Sequence, residues 1–354
     1  MSERDVYDVT IVGAGPAGLY AAFYAGLREM KTKIIEYHPF LGGKVNVYPG
    51  KLIWDVGGLA PVTGEQLLKQ LIRQGTLFDP TVVLGEKVTS IAREGDVFTL
   101  HTGSGQVHYS KTVILATGYG ILKPVKLQME GAEKFEATNL RYTVKSMSHY
   151  RGKTVLISGG GHAAVDWADD LGDVAGKVYL AYRRDELKGF EATVSKIKKK
   201  GVILLPNTVM ERLIPTADGS AVARVVLRRS GEGDAASSEL DVELDVDEVL
   251  VCHGFEYDGE LVRSSKVDIR MRGEYWIDGT PHGETSVPGL FAAGDVLGYD
   301  GKLHLIAGAF QDAANAVNRA KKFLSPDAED AAMVSSHNER LQEKNQELKK
   351  LLFS

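Results

Sequence analysis

The chain has 354 residues, enough for two or three domains with hydrophobic cores, and its 44% hydrophobic content is typical of a globular protein. Its net charge of −5 argues against general nucleic-acid binding, and no apolar run approaches the roughly 20 residues of a membrane span. The polar N-terminus enters a predicted strand within a few residues and leaves no room for a signal peptide. We therefore expect a cytoplasmic protein that neither spans a membrane nor binds nucleic acid.

A dinucleotide-binding motif lies near the N-terminus. The sequence predicts a buried strand over 9–12 and a helix over 19–27, joined by a G-x-G-x-x-G motif with Gly13, Gly15 and Gly18. In such a motif the first glycine permits a tight turn, the second lets the backbone approach a pyrophosphate, and the third lets the helix pack closely. The helix N-terminus then offers unpaired N–H groups and a partial positive charge to the phosphates.

An acidic residue stands at the position that reads the ribose in this first motif. A second predicted strand, over 33–35, ends at Glu36, about 20 residues past Gly15. A carboxylate at this distance is typical of a site that accepts hydrogen bonds from ribose hydroxyls. A lone glycine pattern could be a simple turn, but the strand, the helix and the acid together favour a bound dinucleotide.

A second motif of the same kind follows a second apolar strand. Gly159, Gly160 and Gly161 lead to Ala164 in a G-x-G-x-x-A pattern, which opens a predicted helix over 164–171. Its glycines and its helix predict the same phosphate-binding geometry as the first motif.

The ribose-reading position of this second motif is basic. A predicted strand over 178–181 leads directly to Arg183 and Arg184. A carboxylate there would repel a ribose 2′-phosphate, whereas guanidinium groups bind phosphate through paired, charge-assisted hydrogen bonds. We therefore expect NADP(H) rather than NAD(H) here, with a solvated arginine pair as the simpler alternative.

The chain contains one cysteine, Cys252, which ends the apolar run 249–252. Electron transfer through an internal dithiol needs two thiols close together, so this count excludes that chemistry. We interpret Cys252 as a small core residue on a strand.

The order of the motifs predicts an α/β protein with two Rossmann-like domains of three-layer ββα type, one inserted in the other. Residues 1–122 and 252–354 would form the first domain, and residues 123–251 the inserted second domain. Within the inserted domain, the pattern predicts strands over 224–229 and 239–250 around a polar turn at 230–238.

The combined motifs resemble those of the thioredoxin-reductase-like flavoproteins. The shared features are the G-A-G-P-A-G of 13–18, Glu36, the A-T-G of 116–118, the G-G-G of 159–161, the arginine pair and the F-A-A-G-D of 291–295. Without redox cysteines, and with L-G-G-K at 41–44, Tyr-Pro at 48–49 and the segment 299–308, the chain resembles their ferredoxin/flavodoxin–NADP⁺ reductase branch. The resemblance covers nearly the whole chain. It implies FAD in the first domain, NADP(H) in the second, a homodimer, and ferredoxin or flavodoxin as the electron acceptor.

The resemblance also assigns residues to the FAD site. Residues at matching positions are Gly13, Gly15, Gly18, Glu36, Gly43, Lys44, Tyr48, Val88, Leu122 and Asp295. It implies that Tyr48 stacks on one flavin face, and that Asp295 accepts a hydrogen bond from the ribityl chain. The C-terminal segment of a second copy would cover the other flavin face, and Ser336 and His337 occupy the matching stretch. A core tyrosine, a helix N-cap and an exposed tail histidine are the simpler alternatives.

Three positions depart from the resemblance. His162-Ala163 replaces a common Asp-Ser, Tyr182 replaces a common His, and Lys44 replaces a common Gln. If Lys44 lies near the flavin pyrimidine, its ammonium group is expected to raise the reduction potential.

The implied activity moves a hydride from NADPH to the flavin and then releases single electrons to a carrier. This chemistry needs no side-chain acid or base, so neither a catalytic residue nor a metal ligand is predicted. A hinge is expected near residues 120 and 252. A flavin-dependent NADPH monooxygenase and a non-catalytic NADP(H)-sensing flavoprotein are the alternatives.

Two surface features have open interpretations. The lysine run at 196–200 could steer an acidic carrier, but a solvated helix face is the simpler reading. A stripe of Leu341, Leu348 and Leu352 in the C-terminal tail predicts a docked amphipathic helix rather than a partner motif.

Overall fold

The computed structural model describes residues 4–121, 123–229, 240–256 and 258–353. The chain forms two compact units: unit 1 comprises Met1–Ile121 and Tyr257–Ser354, and unit 2 comprises Leu122–Glu256. Within the described ranges, no helix combines the length and the hydropathy that crossing a membrane requires.

The first part of unit 1 alternates strands and helices. Its elements are β1 (Val6–Val12), α1 (Pro16–Leu27), β2 (Thr32–Glu36), β3 (Leu52–Ile53), β4 (Val62–Thr63), α2 (Gly64–Gly75), β5 (Thr81–Leu84), β6 (Val88–Glu94), β7 (Val97–Thr102) and β8 (Val107–Leu115), with a 3₁₀ turn at Gly43–Val47.

Unit 2 follows with ten strands and two helices in its described part. They are β9 (Lys123–Pro124), β10 (Leu140–Arg141), β11 (Thr154–Ser158), α3 (His162–Gly172), β12 (Lys177–Ala181), α4 (Glu191–Lys199), β13 (Ile203–Leu205), β14 (Thr208–Pro215), β15 (Val222–Arg229), β16 (Leu240–Asp245), β17 (Glu248–Val251) and β18 (Phe255–Glu256), with 3₁₀ turns at Ala132–Phe135 and Met147–Tyr150.

The chain then completes unit 1. The remaining elements are α5 (Glu260–Ser264), β19 (Met271–Arg272), β20 (Trp276–Asp278), β21 (Leu290–Ala292), β22 (Leu297–Gly298), α6 (Ile306–Leu324) and α7 (Gln342–Phe353), with 3₁₀ turns at Gly294–Val296 and Glu339–Leu341.

The main sheet of unit 1 has the order β5-β2-β1-β8-β7-β6, and β21 also pairs with β8. Strands β5, β2, β1, β8 and β21 are parallel, whereas β7 and β6 are antiparallel additions. Alternate side chains of the parallel strands pack on α1 and α6 on one face, as Ile11 and Ile34 do. Their neighbours Val12 and Ile35 pack on β6, β7 and β20 on the other face. Because both faces are covered, these strands are apolar throughout.

Unit 2 repeats this layering. Its parallel sheet has the order β10-β17-β11-β12-β13, and β14-β15-β16 form an antiparallel sheet. Side chains such as Ile157 pack with α3 and α4, while Leu156 packs with the antiparallel sheet. The predicted pair of Rossmann-like ββα folds is therefore confirmed.

The predicted strand over 239–250 is wrong as one strand. Strand β16 pairs antiparallel with β15, whereas β17 joins the parallel sheet beside β11. Between them the Asp247 carboxylate accepts a hydrogen bond from the Thr154 backbone N–H at 2.7 Å, which anchors the crossing at the start of β11. The predicted turn at 230–238 lies outside the described residues. Helix α1 begins at Pro16, earlier than predicted, because proline suits the first helical position.

Candidate dinucleotide-binding sites

The loop after β1 separates glycines that the fold requires from one that it does not. A Cβ on Gly13 would lie 2.5 Å from the Ala116 carbonyl oxygen, and one on Gly18 would lie 1.9 Å from the Gly13 carbonyl oxygen. Gly15 has an ordinary φ of −72°, and its Cβ would meet only the Gly43 Cα, at 3.8 Å. Packing therefore explains Gly13 and Gly18 but not Gly15, whose open side suits a group that approaches the backbone.

The loop after β11 has the same geometry. A Cβ on Gly159 would lie 2.4 Å from the Cys252 carbonyl oxygen, and its φ of +147° also favours glycine. Gly161 has a φ of −90°, and no atom of the described chain lies within 4 Å of its ideal Cβ. Gly160 lies against Tyr182, with 3.0 Å between an ideal Cβ and the tyrosine Cβ. The middle glycine of each motif thus leaves a cradle that a side chain would fill.

Both loops lead into helices that lack a side-chain cap. Gly15 and Gly161 are the N-caps of α1 and α3, and no side-chain hydrogen bond caps either helix in the described structure. The first N–H groups of such a helix have no intrahelical partner and suit an anion. Each loop follows the carboxyl end of a parallel strand, where α/β folds bind their ligands.

Glu36 is held beside the first loop. It ends β2 and is only 6% exposed. Its Oε2 accepts a hydrogen bond from the Ala14 N–H at 2.7 Å, and its Oε1 accepts one from the His38 N–H at 2.9 Å. Because a carboxylate has about four acceptor positions, each oxygen can also accept a hydroxyl group. This geometry fits a ribose next to the glycine loop.

Arg183 and Arg184 follow β12 at the same edge of the unit 2 sheet as the second loop. Both are exposed, and so is His162, the first residue of α3. The Lys188 N–H donates to the Gly160 carbonyl at 2.7 Å, which joins the segment after the arginines to the loop. The predicted glycines and arginines of unit 2 therefore lie along one edge of the sheet, where both arginines are exposed.

Three predicted flavin contacts converge in unit 1. The negative charge of Asp295 raises the pKa of both Tyr48 and Tyr119, after the larger effect of burial on each. The Lys44 Nζ lies 4.9 Å from the centre of the Tyr119 ring. His304 Nδ1 lies 3.7 Å from an Asp295 carboxylate oxygen. Lys44, Tyr48 and Asp295 thus belong to one region of unit 1, in which carboxylate, ammonium and aromatic groups lie near one another.

A buried ion cluster that the sequence did not reveal supports this region. Asp312 in α6 is fully buried, and its Oδ2 accepts a hydrogen bond from the Gly294 N–H at 3.1 Å. Its Oδ1 accepts one from the Tyr299 hydroxyl at 2.9 Å, and burial together with this bond raises the pKa of Tyr299 to about 12. The Lys302 ammonium, whose side chain is 3% exposed, also contacts the Asp312 carboxylate. The cluster fixes the turn that carries Asp295.

Other predicted site residues lie elsewhere or outside the described chain. Ser336 and His337 are exposed, and the next residue, Asn338, donates from Nδ2 to the Leu27 carbonyl at 3.2 Å. Leu27 ends α1, about 18 Å from its N-terminal loop at 1.5 Å per residue. These two residues therefore do not reach the Asp295 region of their own chain. Val88 is buried at the start of β6, and Leu122 lies outside the described residues.

Cys252 packs against the core of unit 2, just past β17. Burial raises the pKa of its thiol to about 12, so the group is not a thiolate near neutral pH.

Comparison with known proteins identifies the family. Residues 7–320 match the family described as pyridine nucleotide-disulphide oxidoreductase. Proteins named ferredoxin–NADP reductase 1 from Bacillus licheniformis and Bacillus mycoides are 55% and 53% identical to the chain, over 100% of each sequence. The chain belongs to the ferredoxin–NADP reductase family. A protein of the same name from Oceanobacillus iheyensis is 53% identical over 98% of each sequence.

Solved structures of thioredoxin reductases share the fold of the chain. Thioredoxin reductase from Lactococcus lactis is 27% identical, with a TM-score of 0.72 over 90% of this chain and 99% of that chain. Thioredoxin reductase from T. acidophilum has a TM-score of 0.73 at 24% identity, over 90% of this chain and 99% of that one, and shows the shared fold. The single, partly buried cysteine of the present chain distinguishes it from proteins that use an internal dithiol.

Proposed function

We propose that the chain is a ferredoxin–NADP reductase that binds FAD in unit 1 and NADP(H) in unit 2. The observation that carries the assignment is the opposite charge beside two equivalent glycine loops, Glu36 in unit 1 and Arg183 with Arg184 in unit 2. Family membership supports FAD and NADP(H) as the two cofactors. The full-length relatives named ferredoxin–NADP reductase support the overall reaction.

The FAD site would use the edge of unit 1 formed by β1, β2 and β21. Glu36 would accept hydrogen bonds from the adenosine ribose, and the open side of Gly15 would admit the pyrophosphate. Tyr48, Lys44 and Asp295 would surround the ring and the ribityl chain. Bound FAD would supply the redox chemistry, accepting two electrons and releasing them singly.

The residues around this site orient rather than exchange protons. Because the pKa values of Tyr48 and Tyr119 are raised, both phenols stay protonated at neutral pH and can donate hydrogen bonds. The Asp312 carboxylate fixes the Gly294 N–H and thereby the backbone that leads into Asp295. This arrangement is consistent with a reaction that needs no side-chain acid or base.

The unit 2 site would select the phosphorylated coenzyme. Arg183 and Arg184 would offer planar guanidinium groups to a ribose 2′-phosphate, while Gly161 and the N-terminus of α3 would bind the pyrophosphate. NAD(H), which lacks the 2′-phosphate, would leave both arginines without an anion.

We also propose that the protein works as a homodimer in the cytoplasm, with a flavodoxin or a ferredoxin as acceptor. Ser336 and His337 lie at the far end of α1, so covering a flavin with this segment requires a second copy. Of the predicted stripe, Leu341 is buried, but Leu348 and Leu352 of α7 are exposed, contrary to the predicted docked helix. These two leucines suit burial against a second copy.

The lysine run at 196–200 is partly neutralised, which favours the solvated-face interpretation. Lys196 and Lys200 both pair with Asp169 of α3, at 2.7 and 2.6 Å. Any steering of an acidic carrier by this run would therefore depend on Lys198 and Lys199, which are exposed.

The decisive experiment is NADPH-dependent reduction of cytochrome c with and without added ferredoxin or flavodoxin. We expect a yellow protein whose turnover with NADPH greatly exceeds that with NADH and rises when a carrier is added. A colourless protein after reconstitution, or a preference for NADH, would contradict the proposal. Absence of turnover would favour a sensing flavoprotein, and a long-lived oxygen adduct in rapid-mixing spectra would favour a monooxygenase.

A further inference from the structure

The second glycine loop has a histidine at its base that the motif does not include. His253 follows β17, the strand that lies beside β11 in the parallel sheet. Its Nε2 lies 2.9 Å from the Ser158 Oγ, and Ser158 ends β11 immediately before the loop. The Cys252 carbonyl oxygen, one residue earlier, is the atom that excludes a side chain at Gly159. The imidazole is thus hydrogen-bonded to the last residue of β11, after which the loop begins.

The strand order would place His253 beside the nicotinamide half of a bound dinucleotide. Strand β12, which leads to Arg183, lies on one side of β11, and β17 lies on the other. Neighbouring strands are about 4.8 Å apart, so the ends of β12 and β17 are separated by roughly 10 Å. A dinucleotide with its 2′-phosphate at Arg183 and its pyrophosphate at the loop after β11 would extend its nicotinamide half toward β17.

The electrostatic surroundings of His253 suit a phosphate. Partial burial, and then the positive charge of Arg183, lower the pKa of His253, so its ring is neutral near neutral pH in the free protein. The groups acting on the ring are the Ser158 hydroxyl from β11 and the Arg183 guanidinium from the end of β12. A bound phosphate would offset the charge of Arg183 and favour a protonated ring that donates a charge-assisted hydrogen bond.

We propose that His253 binds the phosphate and the ribose of the nicotinamide half of NADP(H), and that Ser158 positions its ring. The inference rests on the proposed NADP(H) site of unit 2 and adds a division of work within it. Arg183 and Arg184 select the 2′-phosphate, while His253 binds the nicotinamide half, which NADP(H) and NAD(H) share.

The test compares two probes, NADP⁺ and 2′,5′-ADP, by calorimetry. The second probe keeps the 2′- and 5′-phosphates of the adenosine half but lacks the phosphate and the ribose of the nicotinamide half. We expect His253→Ala to weaken NADP⁺ binding about tenfold, the effect of one charge-assisted hydrogen bond, and to leave 2′,5′-ADP binding unchanged. Arg183→Ala should weaken both probes. Ser158→Ala should reproduce part of the His253→Ala effect on NADP⁺.

A pH series and a matched control make the result specific. The affinity advantage of the wild type over His253→Ala for NADP⁺ should grow as the pH falls from about 8 to about 6, because the bound state takes up a proton. His101→Ala, which removes an exposed imidazole from β7 of unit 1, should leave both probes unaffected.

Each other outcome contradicts a specific claim. Equal NADP⁺ affinity in the wild type and His253→Ala would overturn the inference. Equal weakening of both probes would also overturn it, because it would assign His253 to the adenosine half or to the fold of unit 2. A wild-type protein that binds neither probe would instead remove the proposed NADP(H) site itself.

Discussion

The buried ion pair between Lys302 and Asp312 offers a quantitative test of how the FAD region of unit 1 is held. Asp312→Asn keeps the shape of the side chain. Its amide oxygen can still accept from the Gly294 N–H and from Lys302, and its NH₂ group can donate to the Tyr299 hydroxyl. The substitution therefore removes the negative charge and leaves the hydrogen bonds in place. An ammonium that is 3% exposed then has no counter-charge in this cluster.

The magnitude follows from burial. Breaking a buried ion pair by removing one partner typically costs about 3–5 kcal/mol, and the near-complete burial of both side chains here justifies that range. Asp312→Leu should cost about 1–3 kcal/mol more, since it also leaves the buried Gly294 N–H without an acceptor. The double variant Lys302→Met/Asp312→Asn should recover most of the loss, because no uncompensated charge remains.

Urea unfolding of the apoprotein measures these differences, and titration with FAD measures the effect on the turn that carries Asp295. We expect the free energy of unfolding to fall in the order wild type, double variant, Asp312→Asn and Asp312→Leu. FAD affinity should fall with Asp312→Asn and recover in the double variant. A loss of under about 1 kcal/mol in Asp312→Asn, or equal losses in the single and double variants, would refute the reasoning.

Three further predictions concern charge at separate places. Arg183→Glu with Arg184→Glu should lower the ratio of NADP⁺ to NAD⁺ affinity by roughly a hundredfold, since two charge-assisted phosphate contacts become repulsive; calorimetry that gives an unchanged ratio would contradict the assignment. Lys44→Gln should lower the flavin midpoint potential, because a positive charge near the ring favours the reduced state; an unchanged potential in spectroelectrochemistry would remove that role. Burial and then the charge of Lys33 lower the pKa of His108, so the folded state holds fewer protons than the unfolded chain. This stability is complete above the ordinary histidine pKa of about 6.5 and is lost as the pH falls below it. Unfolding free energies between pH 8 and pH 5 should therefore decline less steeply in His108→Leu than in the wild type, and parallel curves would count against this account.

Local patterns in the sequence predicted much of the fold because the determinants are local. In each motif, the apolar strand residues, the glycines after them and the charged residue that follows the next strand lie within about 30 residues of each other. Comparison with known proteins confirmed the fold class and the family that these patterns predicted. The roles of individual site residues stay predictions.

The features that the sequence did not reveal depend on contacts between distant segments. His253 meets Ser158 only because β17 joins β11 in the sheet, and the pattern over 239–250 gave no sign that the chain changes sheets there. In the sequence, Asp312 is an ordinary polar residue of a helix. Its role depends on the packing of α6 against Gly294. The position of Ser336 and His337 likewise depends on how the tail docks on the end of α1.

The two glycine loops divide their duties in a way that can be exploited. The backbone of the chain leaves no room for a side chain at Gly159, whereas the space beside Gly161 is open to a ligand. A methyl group added at Gly161 meets no protein atom of the described chain, yet it occupies room that a phosphate would need. Gly161→Ala should consequently yield a folded protein that binds NADP(H) weakly. Gly15→Ala should likewise yield a folded protein that binds FAD weakly. These two variants would allow the binding of each cofactor to be impaired separately while the fold is kept.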